Sequence, residues 1–204
     1  RILLLLESKP IGRRDAYDRV LRAVLERYLS GDKGWTKGRT PYGVPRFLFN
    51  DIARYWRTMT VDYVYKQWSR SSAGWALRNA KLRLSRKLIY AAGLLYCFSL
   101  ASDAPDSSWP LTETRRLETI ERLWHLTNRA PLDLLAHAFM ESEGSSPEAE
   151  ALSVHARHAF GAYDRFLEIL GDSKSRDRLR RLSHEQAADD ELFNLVGDLR
   201  QQRQ

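Results

Sequence analysis

Asn50, Arg54 and Arg57 stand at i, i+4 and i+7, a spacing that puts side chains on one face of a helix. Two guanidiniums and an amide on one face can grip a phosphate or a ribose, because Arg offers oxyanions a planar fork of donors. The same face admits a plainer reading, with Asp51 or Asp62 paired to the arginines. Arg78, Lys81 and Ser85 follow at i, i+3 and i+7, with Lys81 and Ser85 one helical turn apart. An ammonium beside a hydroxyl suits a triphosphate: the cation offsets charge and the hydroxyl donates a hydrogen bond. Arg83, Arg86 and Lys87 point elsewhere around this second helix, so they cannot all serve one small ligand. They are either structural or in contact with a longer polyanion. Five like charges between Arg78 and Lys87 repel one another. An anion, or acidic helices docked on them, would relieve that repulsion.

The remaining reactive side chains form weaker patterns. His155 and His158 lie one helical turn apart, but no carboxylate or Cys completes a ligand set at metal spacing. No metal site is expected, and ordinary histidines are the reading. Cys97 lies in an apolar run without a basic neighbour in sequence, which predicts a buried structural thiol. Arg178 to His184, RLRRLSH, resembles the Arg-to-His spacing of the helical ribonucleases called HEPN domains. The polar residue usual after that Arg is here Leu179.

These side chains need helices to hold them, and the pattern supplies helices throughout. No run of period two appears, so the expected fold is all-α: a bundle of about seven to nine helices with two long central ones. One amphipathic helix covers Asp15 to Leu29, with Tyr17, Val20, Leu21, Val24, Leu25 and Tyr28 as its apolar face. The stretch 30–45, SGDKGWTKGRTPYGVP, reads as a loop, either a plain linker or a lid carrying Trp35 and Tyr42. Arg46 to Trp68 is the first long helix, with Pro45 at its start and Ile52, Ala53, Trp56, Met59, Thr60 and Tyr63 as its buried stripe. Trp75 to Ser102 is the second, where Gly93 marks the close approach of another helix. Thr112 caps a helix to about Thr127 that exposes Arg115, Arg116 and Glu118. Further helices run from Pro131 to Glu141, from Glu148 to Leu170, and through two polar stretches to the end.

Charge divides the chain. From Tyr63 to Ser102 there are seven Lys or Arg and no acid, while the whole chain carries +7, so the remainder sums to zero. DAPDSSWP at 103–110 reads as a linker between a helical region 1–102 and an acidic helical region 111–204. A concentrated basic, aromatic surface suits a phosphate-bearing ligand. The lone cysteine excludes an internal disulfide and points to a reducing cytoplasm. No apolar run is long enough for a membrane span. The chain opens on Arg1 within an apolar segment, which reads as a C-terminal piece of a longer protein.

The segments PRFLFNDIARYWRTMTVDYVYK and GWALRNAKLRLSRKLIYAAGLL, with RILLLLESKPI before them, resemble the helical substrate-binding region that follows the catalytic domain in bacterial nucleotidyltransferases. These belong to the DNA polymerase β-like superfamily. The resemblance covers residues 1–102 and implies a role in holding a nucleoside triphosphate or the acceptor of the nucleotidyl group. It assigns Lys81 and Ser85 to the triphosphate. Catalysis in that superfamily uses a Gly-Ser motif, paired acids and two metal ions, with Mg2+ expected alongside such a domain. Here Gly144-Ser145 runs into a helical SPEAEAL with no strand carrying Asp-x-Asp, so this segment alone is not expected to be an enzyme and holds no cofactor. Three readings follow. One is the substrate-binding portion of a nucleotidyltransferase, through Asn50, Arg54, Arg57, Arg78, Lys81 and Ser85. Another is a non-enzymatic helical module binding nucleic acid or a partner protein through Arg78, Arg83, Arg86 and Lys87. The third and least favoured is the HEPN-like ribonuclease that RLRRLSH resembles, which would need His184 for RNA cleavage. A homo-oligomeric state stays open.

Overall fold

The helical spacing of apolar residues is realised throughout. A computed structural model describes residues 1–36, 43–69, 74–101, 112–141 and 147–198. Among these the structure is all-α, with 86% of residues helical and no strand. In chain order the elements are α1 (Ile2–Leu6), α2 (Arg14–Gly31), α3 (Lys33–Thr36), α4 (Arg46–Ser69), α5 (Trp75–Lys81), a π-helical turn (Leu82–Arg86), α6 (Lys87–Ala101), α7 (Glu113–Thr127), α8 (Pro131–Glu141), α9 (Pro147–Gly171), α10 (Ser173–Arg181), a 3-10 turn (Gln186–Ala188) and α11 (Glu191–Asp198). The expected linker 103–110, the Gly144-Ser145 dipeptide and Tyr42 lie outside the described residues. Packing groups the chain into two compact units, Arg1–Trp56 with Leu88–Leu135, and Arg57–Lys87 with Ala136–Gln204.

The first unit is built around Leu21, Leu25, Leu29, Leu48, Ile52, Cys97 and Leu123, all buried. α2 lies against α7, and salt links fix the pair: Arg22 Nε donates to Glu121 (2.5 Å) and Arg116 Nη1 to Glu26 (2.7 Å). Arg22 also sits 3.9 Å over the Trp124 ring, adding a cation–π contact. Arg115 and Arg116 are half-buried rather than exposed, and Arg116 is turned toward α2. Thr112 caps α7 as expected, its Oγ1 accepting from the Arg115 N–H at 3.3 Å. On α2, Val20 is exposed instead of buried. On α4 the fully buried set in this unit is Leu48, Ile52 and Tyr55. Trp56 is half-buried and stacked on Tyr90 at 5.3 Å.

Gly93 is where α6 meets α1 and α4. A Cβ there would lie 3.1 Å from Ile52 Cγ2 and 3.1 Å from Leu6 Cδ2. The stretch after α2 is no plain loop. Asp32 is fully buried, and its carboxylate accepts from the Trp35 N–H (3.0 Å), the Arg46 N–H (2.8 Å) and the Arg46 guanidinium (3.1 Å). It thereby fastens the starts of α3 and α4. Trp35, a candidate lid residue by sequence, is buried in the core, and its Nε1 donates to the Gly43 carbonyl at 2.6 Å.

The second unit forms around Trp75, Ala76, Ala80, Phe166, Ile169 and Leu179. Gly74 adopts φ +68°, a conformation that favours glycine, and its N–H donates to the Arg180 carbonyl at 2.9 Å. That bond joins the start of α5 to the end of α10. Asn79, nearly buried, donates from Nδ2 to the Tyr63 hydroxyl at 2.9 Å and ties α5 to the second half of α4. Asp172 caps α10 by accepting from the Ser175 N–H at 2.8 Å.

A candidate phosphate-binding surface

The basic run meets an irregularity that the spacing did not foretell. Between α5 and α6 the Lys87 N–H donates to the Leu82 carbonyl, five residues back, and Leu82–Arg86 winds as a π-helical turn. Such turns take up an extra residue, weaken the regular ladder and occur often at functional sites. Arg83, Ser85 and Arg86 lie in this turn, Lys81 immediately before it and Lys87 immediately after. The extra residue shifts the register, so Lys81 and Ser85 are not related by a regular α-turn as the spacing assumed. Every residue of the turn keeps some exposure.

The sequence-predicted cations separate into two groups. Lys81, Lys87 and Arg57 are exposed, and among the described residues no acid pairs with them. Arg83 is exposed, whereas Arg78, Ser85 and Arg86 are half-buried. Arg78, Arg83 and Arg86 each engage another group of the protein. On α4, Asn50 and Arg54 are exposed, and Arg54 pairs with Asp51 at 3.4 Å, the plainer alternative for that side chain. Asp51 also accepts from the Tyr28 hydroxyl at 2.7 Å. Asp62 is taken by Lys66 at 2.6 Å and does not neutralise Arg57. Asn50 and Arg54 belong to the first unit; Arg57, Arg78, Lys81, Ser85, Arg83, Arg86 and Lys87 belong to the second. From Arg57 to Lys87 the sequence holds eight Lys or Arg and one Asp. The acid that is present is spent on Lys66, while Arg57, Lys81, Arg83 and Lys87 of this stretch are exposed.

The other candidate groups fall elsewhere. Cys97 is fully buried, and that burial pushes its thiol up to about 12, far from the thiolate a nucleophile needs. His155 and His158 are exposed on α9, and among the described residues no three metal-ligating side chains converge. Arg178 is bound by Asp190, Nε at 2.9 Å and Nη2 at 2.7 Å, while Asp190 also accepts from the Phe193 N–H at the start of α11. His184 lies against the Trp75 ring, centroids 4.6 Å apart. An open cleft of about 800 Å³, missed by sequence reasoning, is lined by Lys174, Asp177, Arg178, Arg181, Asp189 and Asp190 among others. Its three cations face three acids, so it lacks the one-sided charge of the run 57–87. Only the alternation of charges along DRLRR and DD could have hinted at it.

No family model matches the chain, and no curated protein or solved structure is similar to it. Among the described residues no helix is long and apolar enough to cross a membrane.

Proposed function

We propose that this chain binds a phosphate-bearing ligand through the basic run, as the helical substrate-binding portion of a nucleotidyltransferase. The ligand is a nucleoside triphosphate or the acceptor of the nucleotidyl group. The observation that carries this reading is the π-helical turn set between exposed Lys81 and Lys87, with Ser85 within it. A π-helical turn interrupts the regular helical ladder, and the exposed cations Lys81 and Lys87 at its two ends repel one another. A bound phosphate offsets both costs at once by accepting charge-assisted hydrogen bonds. Lys81 supplies the point charge and Ser85 the hydroxyl, with Arg57 as a further cation of the same unit. The chemistry of transfer would come from a separate catalytic domain with its Mg2+ ions, which this chain serves by holding substrate. Titration of the chain with a nucleoside triphosphate tests the reading. Lys81→Ala should weaken binding by about tenfold or more, the scale of a lost hydrogen bond to a charged group.

A second reading is favoured by one observation. Lys87 and Arg83 are exposed in addition to Lys81. A helical module for a longer polyanion would use all three. The two readings differ in how steeply affinity falls with salt.

A further inference from the structure

The open cleft of about 800 Å³ lies wholly within the second unit, and its volume is that of a small-molecule site, roughly 300–1,000 Å³. One wall is a face of α10, where Lys174, Arg178 and Arg181 stand at i, i+4 and i+7, each one helical turn from the next. The other wall is the segment that leads into α11, with Gln186, Asp189 and Asp190. The cations and acids of the cleft balance in number but not in availability. Asp190 is buried and both its oxygens are taken. Its Oδ2 accepts from Arg178 Nε at 2.9 Å and Nη2 at 2.7 Å, and its Oδ1 accepts from the Phe193 N–H at 2.9 Å. Asp177 accepts from Arg180, which does not line the cleft, at 3.2 Å. Asp172, which the Lys174 charge also reaches, caps α10 through the Ser175 N–H. Lys174 and Arg181 are exposed, and among the described residues no acid forms an ion pair with either. Of the three acids lining the cleft, exposed Asp189 is the one without a bound cation.

The chemistry of the two walls selects a ligand. Asp190 holds Arg178 along the Nε–Nη2 edge of its guanidinium, and Nη1 stays outside that bond on a side chain that is 55% exposed. A guanidinium fixed in this way loses little freedom when it meets an oxyanion. With the Arg178–Asp190 pair neutral, Lys174 and Arg181 leave two uncommitted positive charges on the α10 wall. They match a phosphate monoester, which carries about −1.5 to −2 near neutral pH. The facing wall supplies both kinds of hydrogen-bonding group. Asp189 accepts, and Gln186, whose Oε1 already accepts from the Ser183 N–H at 3.2 Å, offers its amide N–H groups. A hydroxyl both donates and accepts, whereas an ammonium only donates, so this wall suits hydroxyls. We infer that the cleft binds a sugar phosphate, with Arg178, Arg181 and Lys174 around the phosphate and Asp189 and Gln186 on the sugar hydroxyls. The site shares no residue with the basic run and stands independently of the function proposed above.

Isothermal titration of the full 204-residue chain with ribose 5-phosphate at low salt tests the inference. Wild type should bind it saturably, and unphosphorylated ribose should give no measurable heat. Arg181→Ala should weaken binding about tenfold, the scale of a lost hydrogen bond to a charged group. Asp189→Ala should weaken ribose 5-phosphate and leave inorganic phosphate unchanged. Both side chains are exposed, so these replacements leave the Arg178–Asp190 link and the core intact. Lys81→Ala should bind ribose 5-phosphate as wild type does. No binding by wild type overturns the inference, as does Arg181→Ala that binds as tightly as wild type. Asp189→Ala with undiminished affinity overturns the contact to the sugar. If Lys81→Ala abolishes binding and Arg181→Ala does not, the ligand sits on the basic run; the cleft site falls and the function proposed above stands. Arg181-dependent binding in a chain that shows no Lys81-dependent triphosphate binding would uphold the cleft while that function falls.

Discussion

Asp32 shows how one side chain can decide local structure. Burial pushes its carboxyl up, but the Trp35 N–H, the Arg46 guanidinium and the Arg46 N–H outweigh burial and hold it below the usual carboxylate value. A folded-state value below the unfolded one means the charged form stabilises the fold. That contribution is complete above the unfolded pKa, about 3.9, and is lost as pH falls below it through the folded value. Asp32→Ala strips a buried acceptor from two backbone N–H groups and one guanidinium. Chemical denaturation near neutral pH should show a loss of about 2–3 kcal/mol, and the gap to wild type should close in acid below about pH 4. A gap that persists unchanged at low pH would mean the charge contributes nothing. None of this was visible in SGDKGW, which reads as a loop because Gly and Asp are turn formers and the acceptor's partner, Arg46, stands fourteen residues away. Arg54 teaches the complement. Its spacing marked it equally for a ligand or for Asp51, and the structure gives it Asp51 at 3.4 Å.

Elements were the more legible scale. Helical periodicity identified α2, α4, α7 and α9 nearly to their ends, because caps and breakers such as Thr112, Pro45 and Gly171 act locally. Faces were harder to read. The sequence assigned Met59, Thr60 and Tyr63 to a buried stripe, but they are only half-buried, and the apolar residues on α4's other face stand exposed. Burial depends on what packs against a helix, which its own period does not encode. The π-helical turn was likewise invisible, since LRLSR is compatible with an ordinary α-helix. Gly93 was readable, because a glycine within a helix costs about 1 kcal/mol in propensity and so signals a close neighbour. Gly93→Val should drive two methyl groups into Ile52 and Leu6 and destabilise the fold by about 1–3 kcal/mol, seen as a lower denaturation midpoint. An unchanged midpoint would show that α1 and α4 yield freely at this contact.

At the scale of the molecule, charge is the feature that composition and structure share. The surplus of the whole chain, +7, equals that of residues 57–87 alone, and its exposed members include Arg57, Lys81, Arg83 and Lys87. A longer polyanion held by Lys81, Arg83 and Lys87 would displace counterions, giving a log–log salt slope of about −2 for three phosphates on a single strand. A triphosphate held chiefly by Lys81 and Ser85 should give a shallower slope, because fewer cations are engaged. Measuring both ligands between low and physiological salt separates the two readings. Identical shallow slopes would remove the longer polyanion from the account.

The central claim is that the basic run grips phosphate through Lys81. Isothermal titration of the full chain with a nucleoside triphosphate tests it most directly, comparing wild type, Lys81→Ala and, as a control, Arg129→Ala, which removes an exposed cation of the first unit. The account predicts saturable binding by wild type and Arg129→Ala, weakened about tenfold or more in Lys81→Ala. Binding that is absent from wild type, or as tight in Lys81→Ala as in wild type, would contradict it.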